Sequence, residues 1–259
     1  MSMIGEEMYR NNMELTEFVV PEGVETIEEE AFRNCANLEK IILPDGLEEI
    51  GEEAFRDCVS LREIRIPDSV EEIEEEAFRD CKALREVKFG KGLEEIGDEA
   101  FRGCRNLRDV VLPDGLEEIG DEAFRGCVNL IAVEIPASVE EIGAYAFMDC
   151  PKLTIYTTAF SEAAMYAQRS GIPVQPIAGA EQLKDKCVVL SGLRGHQREQ
   201  VMEVLEAVGG IFREEVCGTT AYLIYDPADG TDTKKFAEAL ENQKEATGLL
   251  LMDYRTLVE

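Results

Sequence analysis

One fixed interval, of 23 residues, recurs through the first two thirds of the chain. Phenylalanine recurs six times at this interval, and a cysteine follows each phenylalanine at the same offset, so that residues 32–54 form one unit. The phenylalanines are Phe32, Phe55, Phe78, Phe101, Phe124 and Phe147, and the cysteines are Cys35, Cys58, Cys81, Cys104, Cys127 and Cys150. A unit this short cannot bury an apolar face alone, so the pattern predicts units stacked into a solenoid.

Each unit contains a segment in which apolar and polar residues alternate, as in residues 61–66. Alternation predicts one short strand per unit, and the proline that usually follows, such as Pro67, ends it because proline cannot donate to a ladder. The Glu-Glu-Ala-Phe-Arg stretch at residues 52–56 predicts a single helical turn. Parallel strands lie about 4.8 Å apart, so each position of the unit is expected to form a column along the solenoid.

Two strand positions are predicted to face outward. One outward column contains Val19, Ile42, Arg65, Lys88, Val111, Glu134 and Thr157, and the other contains Glu17, Lys40, Glu63, Glu86, Asp109, Ala132 and Ile155. The core column between them contains Ile41, Ile64, Val87, Val110, Val133 and Tyr156. Arg65 and Lys88, flanked by Ile42 and Val111, form a candidate face for an acidic segment of a protein partner. The alternative is that these four are ordinary solvated strand residues.

The segments Leu-Arg-Glu-Ile-Arg-Ile-Pro at residues 61–67 and Ala-Phe-Arg-Asp-Cys at residues 77–81 resemble the units of BspA-like bacterial leucine-rich repeats. The resemblance covers residues 4–176, and Gly90 departs from it by replacing the usual proline. A helix at residues 161–170, stopped by Gly171 and Pro173, resembles the C-terminal cap of that family. The resemblance implies a leucine-rich-repeat solenoid with one short strand per turn, in a family often found at bacterial surfaces.

The cysteine column predicts core packing. Thiols one unit apart lack the C-x-x-C spacing of zinc sites, and parallel side chains suit neither tetrahedral ligation nor disulfide geometry, although stacking alone does not exclude a disulfide. We therefore interpret the cysteines as small buried hydrophobic residues beside phenylalanine. Reduced thiols indicate a cytoplasmic location for the chain as it stands, and a fragment of a longer protein would instead be extracellular or at the cell surface.

Charge limits the partners. The chain carries 26 Lys and Arg against 55 Asp and Glu, a net charge of −29, which argues against direct nucleic-acid binding. No apolar run of membrane-spanning length occurs, which predicts no membrane insertion.

Stacked Glu pairs, beginning with Glu48 and Glu49, destabilise the array unless a column of arginines offsets them. That arginine column is Arg33, Arg56, Arg79, Arg102 and Arg125. A calcium site would need a liganding loop with Gly and Asn, so we expect no metal.

After Pro176 the repeat ends and the pattern changes. Strands are predicted at residues 187–190, 221–225 and 249–252, with helices at residues 198–208 and 233–244. Alternation of strands with helices over this length predicts a small α/β domain with a parallel sheet. The predicted organisation is a capped solenoid over residues 1–176, a linker over residues 177–185 and the α/β domain over residues 186–259.

The last segment resembles a BRCT domain through Ser191-Gly192, Gly209-Gly210, Thr219-Thr220 and Thr233-Lys234-Lys235. The resemblance implies a phosphate site made of the Ser191 hydroxyl, the Gly192 N–H and Lys235, supported by Thr233. These groups suit an anion chemically. The alternative is that Ser191 satisfies a turn and Lys235 is solvated. The late tryptophan of the family is absent, and Tyr254 takes its place.

No catalytic constellation is present. His196 is the single histidine and has no nucleophile motif beside it, and the phosphate-loop, zinc-peptidase and C-x-x-C motifs are all missing. We predict a non-enzymatic protein–protein interaction scaffold without a cofactor, in which the solenoid and the α/β domain bind separate partners. The alternatives are a phosphopeptide-reading or DNA-repair-associated adaptor and a bacterial cell-surface adhesion protein.

Overall fold

A computed structural model of the chain describes residues 3–177, 181–228, 231, 234–244 and 248–258. The polypeptide divides into two compact units, Met1–Leu153 and Thr154–Glu259.

In the first unit each repeat contributes a three-residue strand to an outward sheet surface. These strands are β2 (Glu17–Val19), β4 (Lys40–Ile42), β6 (Glu63–Arg65), β8 (Glu86–Lys88), β10 (Asp109–Val111) and β12 (Ala132–Glu134). They run parallel, and equivalent residues of neighbouring repeats are in-register partners, as in the pair Glu63 and Glu86. The predicted solenoid with a short strand per unit is confirmed.

The structure adds a second strand to each repeat, which the sequence pattern does not predict because it is only two residues long. These strands are β1 (Met3–Ile4), β3 (Thr26–Ile27), β5 (Glu49–Ile50), β7 (Glu72–Ile73), β9 (Glu95–Ile96), β11 (Glu118–Ile119) and β13 (Glu141–Ile142). All seven form one parallel sheet in chain order. Its isoleucines point into the core and its glutamates point outward.

The core of the first unit is a stack of rings and thiols. Neighbouring phenylalanine rings from Phe32 to Phe147 are nearly parallel, with centroids 5.1 to 5.3 Å apart. Five of the six column cysteines are fully buried and Cys150 is half-buried, and all six are free. The prediction that these cysteines pack in the core is confirmed.

The predicted helical turn at residues 52–56 is wrong. Glu53 and Asp57 have φ values of 53° and 60°, which belong to the left-handed region. The N–H groups of Glu53, Phe55 and Asp57 donate to carbonyl oxygens of the next repeat at 2.7 to 2.9 Å. These bonds alternate with three-residue turn bonds within the repeat, such as Ala54 N–H to the Gly51 carbonyl at 3.1 Å, so the segment is a series of tight turns rather than a helical turn.

The second unit begins with β14 (Thr154–Thr157), α1 (Glu162–Ser170) and β15 (Val174–Pro176), followed by a short 3-10 helix at Glu181–Leu183. The α/β domain follows, with β16 (Cys187–Ser191), α2 (Gly195–Val208), β17 (Ile211–Arg213), β18 (Thr220–Tyr225), α3 (Lys234–Lys244), β19 (Leu250–Asp253) and α4 (Arg255–Val258). Its sheet has the order β17-β16-β18-β19 and is entirely parallel. The predicted parallel α/β domain is confirmed, while β17 is an unpredicted strand.

Strand β14 reverses the predicted faces. Ile155 and Thr157, predicted to face outward, are fully buried, and Tyr156, predicted to be core, is 37% exposed. The Thr157 hydroxyl lies 3.0 Å from the hydroxyl of Ser161, the N-cap of α1. This contact holds Thr157 inward, and side chains alternate along a strand, so Tyr156 projects to the other face.

Segment 154–176 shares a core with the α/β domain. Ala159 and Ala164 belong to the same buried cluster as Val188, Leu205 and Tyr222. The buried Tyr222 hydroxyl accepts a hydrogen bond from the Ala159 N–H at 2.9 Å and donates one to Gln182 at 3.3 Å. The predicted cap helix α1 is thus built into the second compact unit.

Candidate protein-binding face

The ladder of the outward sheet is interrupted at two places. Strands β4 and β6 pair only at Lys40 and Glu63, and β8 and β10 belong to different sheets. At uninterrupted positions the residue after the strand donates to the next repeat, as Ile66 does to the Lys88 carbonyl at 2.8 Å. Within the described part of the chain, the equivalent N–H groups of Leu43 and Phe89 have no such partner.

Gly90 explains the second interruption. The other complete repeats have proline at this position, whereas a Cβ atom on Gly90 would lie only 2.0 Å from the Pro67 carbonyl oxygen. The backbone after β8 therefore approaches the preceding repeat more closely than any side chain would allow. Phe89 also turns its ring edge-on to Phe101, with centroids 5.7 Å apart. Both contacts separate the end of β8 from β10.

A cavity opens at each interruption. The cavity between β4 and β6 measures about 420 Å³ and includes Lys40, Ile42 and Arg65 in its lining. The cavity between β8 and β10 measures about 760 Å³ and includes Lys88, Phe89 and Val111. Strands β6 and β8 lie between the two cavities, and Arg65 is the in-register partner of Lys88. We refer to Arg65 and Lys88 as the basic strand pair.

The basic strand pair carries charge that the fold leaves largely uncompensated. Among the described residues, no carboxylate lies within 4.0 Å of the Arg65 guanidinium. The Lys88 side chain is 70% exposed, and its ammonium group pairs with Glu86 at 3.1 Å. Ile42 and Val111, on either side, are 47% and 63% exposed. The structure therefore places the four predicted residues on one accessible face of consecutive strands.

Sequence analysis missed a second basic column on this face. Arg62, Arg85 and Arg108 recur once per repeat and line the cavity between β8 and β10. Arg62 contacts Glu39 at 3.1 Å, whereas Arg85 and Arg108 have no carboxylate within 4.0 Å among the described residues. The once-per-repeat spacing is visible in the sequence, but each of these arginines lies one residue before its observed strand and outside the two columns predicted to face outward.

The arginine column of the turn segment behaves differently. Each arginine from Arg33 to Arg102 contacts the glutamate three residues before it and the equivalent glutamate of the following repeat, as Arg102 does with Glu99 at 2.9 Å and Glu122 at 2.7 Å. Arg125 contacts Glu122 at 2.8 Å and Asp149 at 3.5 Å. We call this series, which runs from Arg33 to Arg125, the Glu–Arg ladder. It compensates the column Glu30, Glu53, Glu76, Glu99 and Glu122, whereas the sequence suggested that it offsets the Glu48–Glu49 columns.

The Glu49 column remains a stack of like charges. Glu49, Glu72, Glu95, Glu118 and Glu141 are in-register partners along the seven-stranded sheet. Desolvation, followed by repulsion from Glu95 and Glu49, raises the pKa of Glu72 above its usual 4.5. No group of residues suited to hold a metal ion occurs among the described residues.

The second predicted site lies at the end of β16. Lys235 Nζ lies 3.5 Å from the Leu190 carbonyl oxygen and 4.0 Å from a Glu214 carboxylate oxygen. Ser191 is 2% exposed, and Gly192 has a φ of 73°. The structure thus brings Lys235 to the residue next to Ser191, while Thr233 lies outside the described residues.

His196, the single histidine of the chain, lies on the surface. The His196 side chain is 81% exposed, and its Nδ1 lies 3.9 Å from Glu199. In the part of the chain that the structure describes, no helix is long and apolar enough to span a membrane.

Parallel strands that recur once per repeat over an apolar ladder of rings define a leucine-rich-repeat protein. The chain belongs to the BspA type leucine rich repeat family, whose model matches residues 2–114 and 94–164 with 6 copies. Residues 180–247 match the model of the BRCA1 C Terminus (BRCT) domain. The fold and family predicted from the sequence are therefore confirmed.

Solved structures extend the comparison. A leucine-rich repeat protein of T. pallidum is 35% identical, with a TM-score of 0.53, over 54% of this chain and 68% of that one. A leucine-rich repeat protein from Eubacterium ventriosum is 27% identical, with a TM-score of 0.40, over 52% of this chain and 42% of that one. A leucine rich cell surface protein from Faecalibacterium prausnitzii is 23% identical, with a TM-score of 0.34, over 54% and 59%. No curated protein sequence matches the chain.

Proposed function

We propose that this chain is a non-enzymatic protein-interaction scaffold whose outward sheet face binds an acidic segment of a partner protein. The observation that carries the proposal is the basic strand pair, which is exposed between two cavities in a chain of net charge −29. The turn-segment arginines are held in the Glu–Arg ladder, whereas Arg65, Arg85 and Arg108 have no carboxylate within 4.0 Å among the described residues. Cations flanked by exposed Ile42 and Val111 suit an acidic segment with apolar anchors.

The two cavities support an extended partner rather than a globular one. They lie on both sides of β6 and β8, so a segment crossing these strands would place a side chain in each. Each cavity is lined by both signs of charge: Arg85 and Arg108 accompany Asp109 in one, and Lys40 and Arg65 accompany Glu22 and Asp45 in the other, so the cations alternate with carboxylates along the path. The surrounding acidic surface repels acidic segments elsewhere and thereby favours this face.

The test is binding of a fluorescent peptide rich in Glu and Asp with interspersed Leu, followed by fluorescence anisotropy. Double substitution Arg65→Glu and Lys88→Glu is expected to weaken binding at least tenfold, and added salt is expected to weaken binding to the unmodified chain. The matched control is Lys82→Glu with Arg105→Glu, which changes net charge equally at exposed turn positions off this face. Equal loss in both double variants would contradict the proposed face.

The BRCT-like domain is proposed to bind a second partner, and a phosphopeptide is the candidate that one observation favours. Lys235 reaches the end of β16 beside Ser191, whereas its neighbour Lys234 is 89% exposed and contacts Glu238 at 3.2 Å. A helix start and an ammonium group both attract a phosphate. Two weak sites on one chain would also act together through effective concentration.

This second candidate is tested with phosphoserine and phosphothreonine peptides and their unphosphorylated forms, titrated against the full chain. Lys235→Ala is expected to abolish the phosphate-dependent part of binding, and Lys234→Ala is expected to preserve it. Binding that ignores phosphate in the unmodified chain would remove the phosphopeptide function and leave the solenoid face untouched.

We propose a cytoplasmic location on the basis of the thiols. All eight cysteines are free, and a chain of reduced cysteines is typical of a reducing compartment. Protease treatment of intact host cells is expected to leave the protein uncut. Cleavage at the surface would instead support the adhesion function.

A further inference from the structure

Two cysteines outside the repeat column lie together at one end of the α/β domain. Cys187 is the first residue of β16, and Cys217 lies in the turn before β18. The Thr219 hydroxyl oxygen is 3.3 Å from the Cys217 sulfur and 4.0 Å from the Cys187 sulfur. The two sulfur atoms therefore lie no farther apart than the sum of these two distances.

The backbone around this pair is compatible with a disulfide. Cys187 is the ladder partner of Thr220, and ladder partners lie about 4.8 Å apart. Thr220 in turn donates its N–H to the Cys217 carbonyl at 2.9 Å, which closes a tight turn. A disulfide requires α-carbons about 4.4–6.8 Å apart, and because Cys217 lies outside any strand, the turn can adjust to that distance without breaking the ladder. The ladder is also irregular between Cys187 and Val188, and such bulges cluster near functional sites.

The two thiols differ from those of the core. Cys217 is exposed, and hydrogen bonds from the Thr219 and Thr220 hydroxyls lower the pKa of its thiol to about 7. Burial raises the pKa of the column thiols Cys58, Cys81, Cys104 and Cys127 well above their usual range. Thiolate is the reactive form, so Cys217 combines access with nucleophilic character. The core thiols lack both.

We propose that Cys217 reacts with hydroperoxides and that Cys187 resolves the product into an intramolecular disulfide. The Cys217 thiolate attacks the terminal oxygen of the peroxide, the O–O bond breaks, and the departing alkoxide takes a proton to leave as an alcohol, or as water from hydrogen peroxide. The Cys217 sulfenic acid is then attacked by the Cys187 sulfur. The S–O bond breaks, and the departing hydroxide takes the Cys187 proton to form water. Two thiols lose two electrons, and the peroxide gains them.

The test uses the full reduced chain, freed of reductant and exposed to stoichiometric hydrogen peroxide near neutral pH. Remaining thiols are alkylated in the native state, and trypsin then releases residues 187–194 and 214–234 as separate peptides. The expected product is a linked pair of these peptides that has lost two hydrogens. Oxidation at Cys217 is expected to be at least about tenfold faster than at half-buried Cys150, whose pKa is raised to about 11 by desolvation.

Two variants separate the roles. Cys187→Ser is expected to leave a sulfenic acid at Cys217 that dimedone traps, and Cys217→Ser is expected to leave Cys187 reduced. Circular dichroism checks that both variants are folded, and the unmodified chain supports or rejects the disulfide independently of them. Equal oxidation rates at Cys217 and Cys150, or complete oxidation of Cys217 without a link to Cys187, would overturn the proposal.

Discussion

The thiol of Cys81 donates a hydrogen bond to the main-chain carbonyl oxygen of Phe55, 3.2 Å away in the preceding repeat. The same bond recurs along the column, for example from Cys104 to Phe78 at 3.3 Å. A cysteine therefore does two things at this position: its sulfur fills the space beside the rings, and its S–H ties two repeats together. An aliphatic residue would do only the first.

Replacing Cys81 with alanine is expected to destabilise the array by about 1–2 kcal/mol, because it removes a buried sulfur and leaves a carbonyl with one fewer donor. Chemical denaturation of the full chain measures the change. Exposed Cys217→Ala is the control and should leave the unfolding free energy of the solenoid unchanged. Equal effects of the two substitutions would show that the buried thiol contributes nothing specific.

Because the glutamates of the Glu49 column repel one another, we expect mild acid to stabilise the folded solenoid. Desolvation, together with neighbouring Glu95 and Glu49, raises the pKa of Glu72 above 4.5, so the folded chain binds protons more readily than the unfolded chain. The stability that protonation provides is complete below the ordinary pKa and is lost as pH rises through the raised one. The thermal midpoint of the solenoid should therefore increase as pH is lowered from neutral toward about 5.

Substitutions at two glutamates separate the two columns. Glu72→Gln removes a repelled charge and is expected to raise the thermal midpoint at neutral pH and to reduce its pH dependence. Glu53→Gln breaks the Glu–Arg ladder, in which Glu53 contacts Arg56 at 2.7 Å, and is expected to cost about 1–3 kcal/mol. Effects of the same sign at both positions would contradict this assignment.

Gly90 stands where the other complete repeats have proline, and we expect no residue with a Cβ atom to be tolerated there without cost. Gly90→Ala places a Cβ atom against the Pro67 carbonyl and is expected to destabilise the array by about 1–3 kcal/mol. Gly46→Ala is the control because nothing lies within 4 Å of its Cβ position. Thermal unfolding compares the two variants, and a stable Gly90→Ala chain would mean that the backbone relaxes without cost.

The Tyr222 hydroxyl joins segment 154–176 to the α/β domain within the second unit, and we expect its loss to destabilise that unit. Tyr222→Phe removes the hydrogen bond to the Ala159 N–H and leaves that donor buried, at an expected cost of about 1–3 kcal/mol. Tyr225→Phe is the control, since its hydroxyl makes no hydrogen bond with any described residue. Burial raises the pKa of Tyr222 from 10.0 to about 12, so the stability it contributes is present below pH 10 and is lost as pH rises through 12. Desolvation also raises the pKa of Tyr225, so each variant should keep part of the loss, and the loss should be smaller in Tyr222→Phe than in the unmodified chain.

The repeat and the α/β domain were predictable because each rests on a periodic signal. The 23-residue spacing of the phenylalanines from Phe32 to Phe147 determines which residues stack. The alternation of apolar and polar residues around Ile64 determines which side chains face inward. The reversal at Tyr156 was not predictable, because the contact between Thr157 and Ser161 overrides the period where the repeats end. The interruption at Gly90 was visible as a departure from the pattern, but its effect depends on a backbone contact with Pro67.

The site was predictable in part. Ile42, Arg65, Lys88 and Val111 could be placed on one face because they share strand positions. The cavities beside them could not be predicted, because they arise from ladder hydrogen bonds lost at Leu43 and Phe89. At Lys235 the resemblance gave a position, and only the structure gave its neighbour Glu214.

The in-register stack of glutamates sets how the length of such an array can vary. Neighbouring charges lie about 4.8 Å apart, and physiological salt screens interactions beyond about 8 Å, so each glutamate interacts strongly with only its first neighbours. The electrostatic cost of adding a repeat is therefore constant once the array contains a few units. The Glu–Arg ladder adds one charge of each sign per repeat and stays neutral as it grows. Gene duplication could then lengthen or shorten this solenoid by whole units without meeting an electrostatic limit.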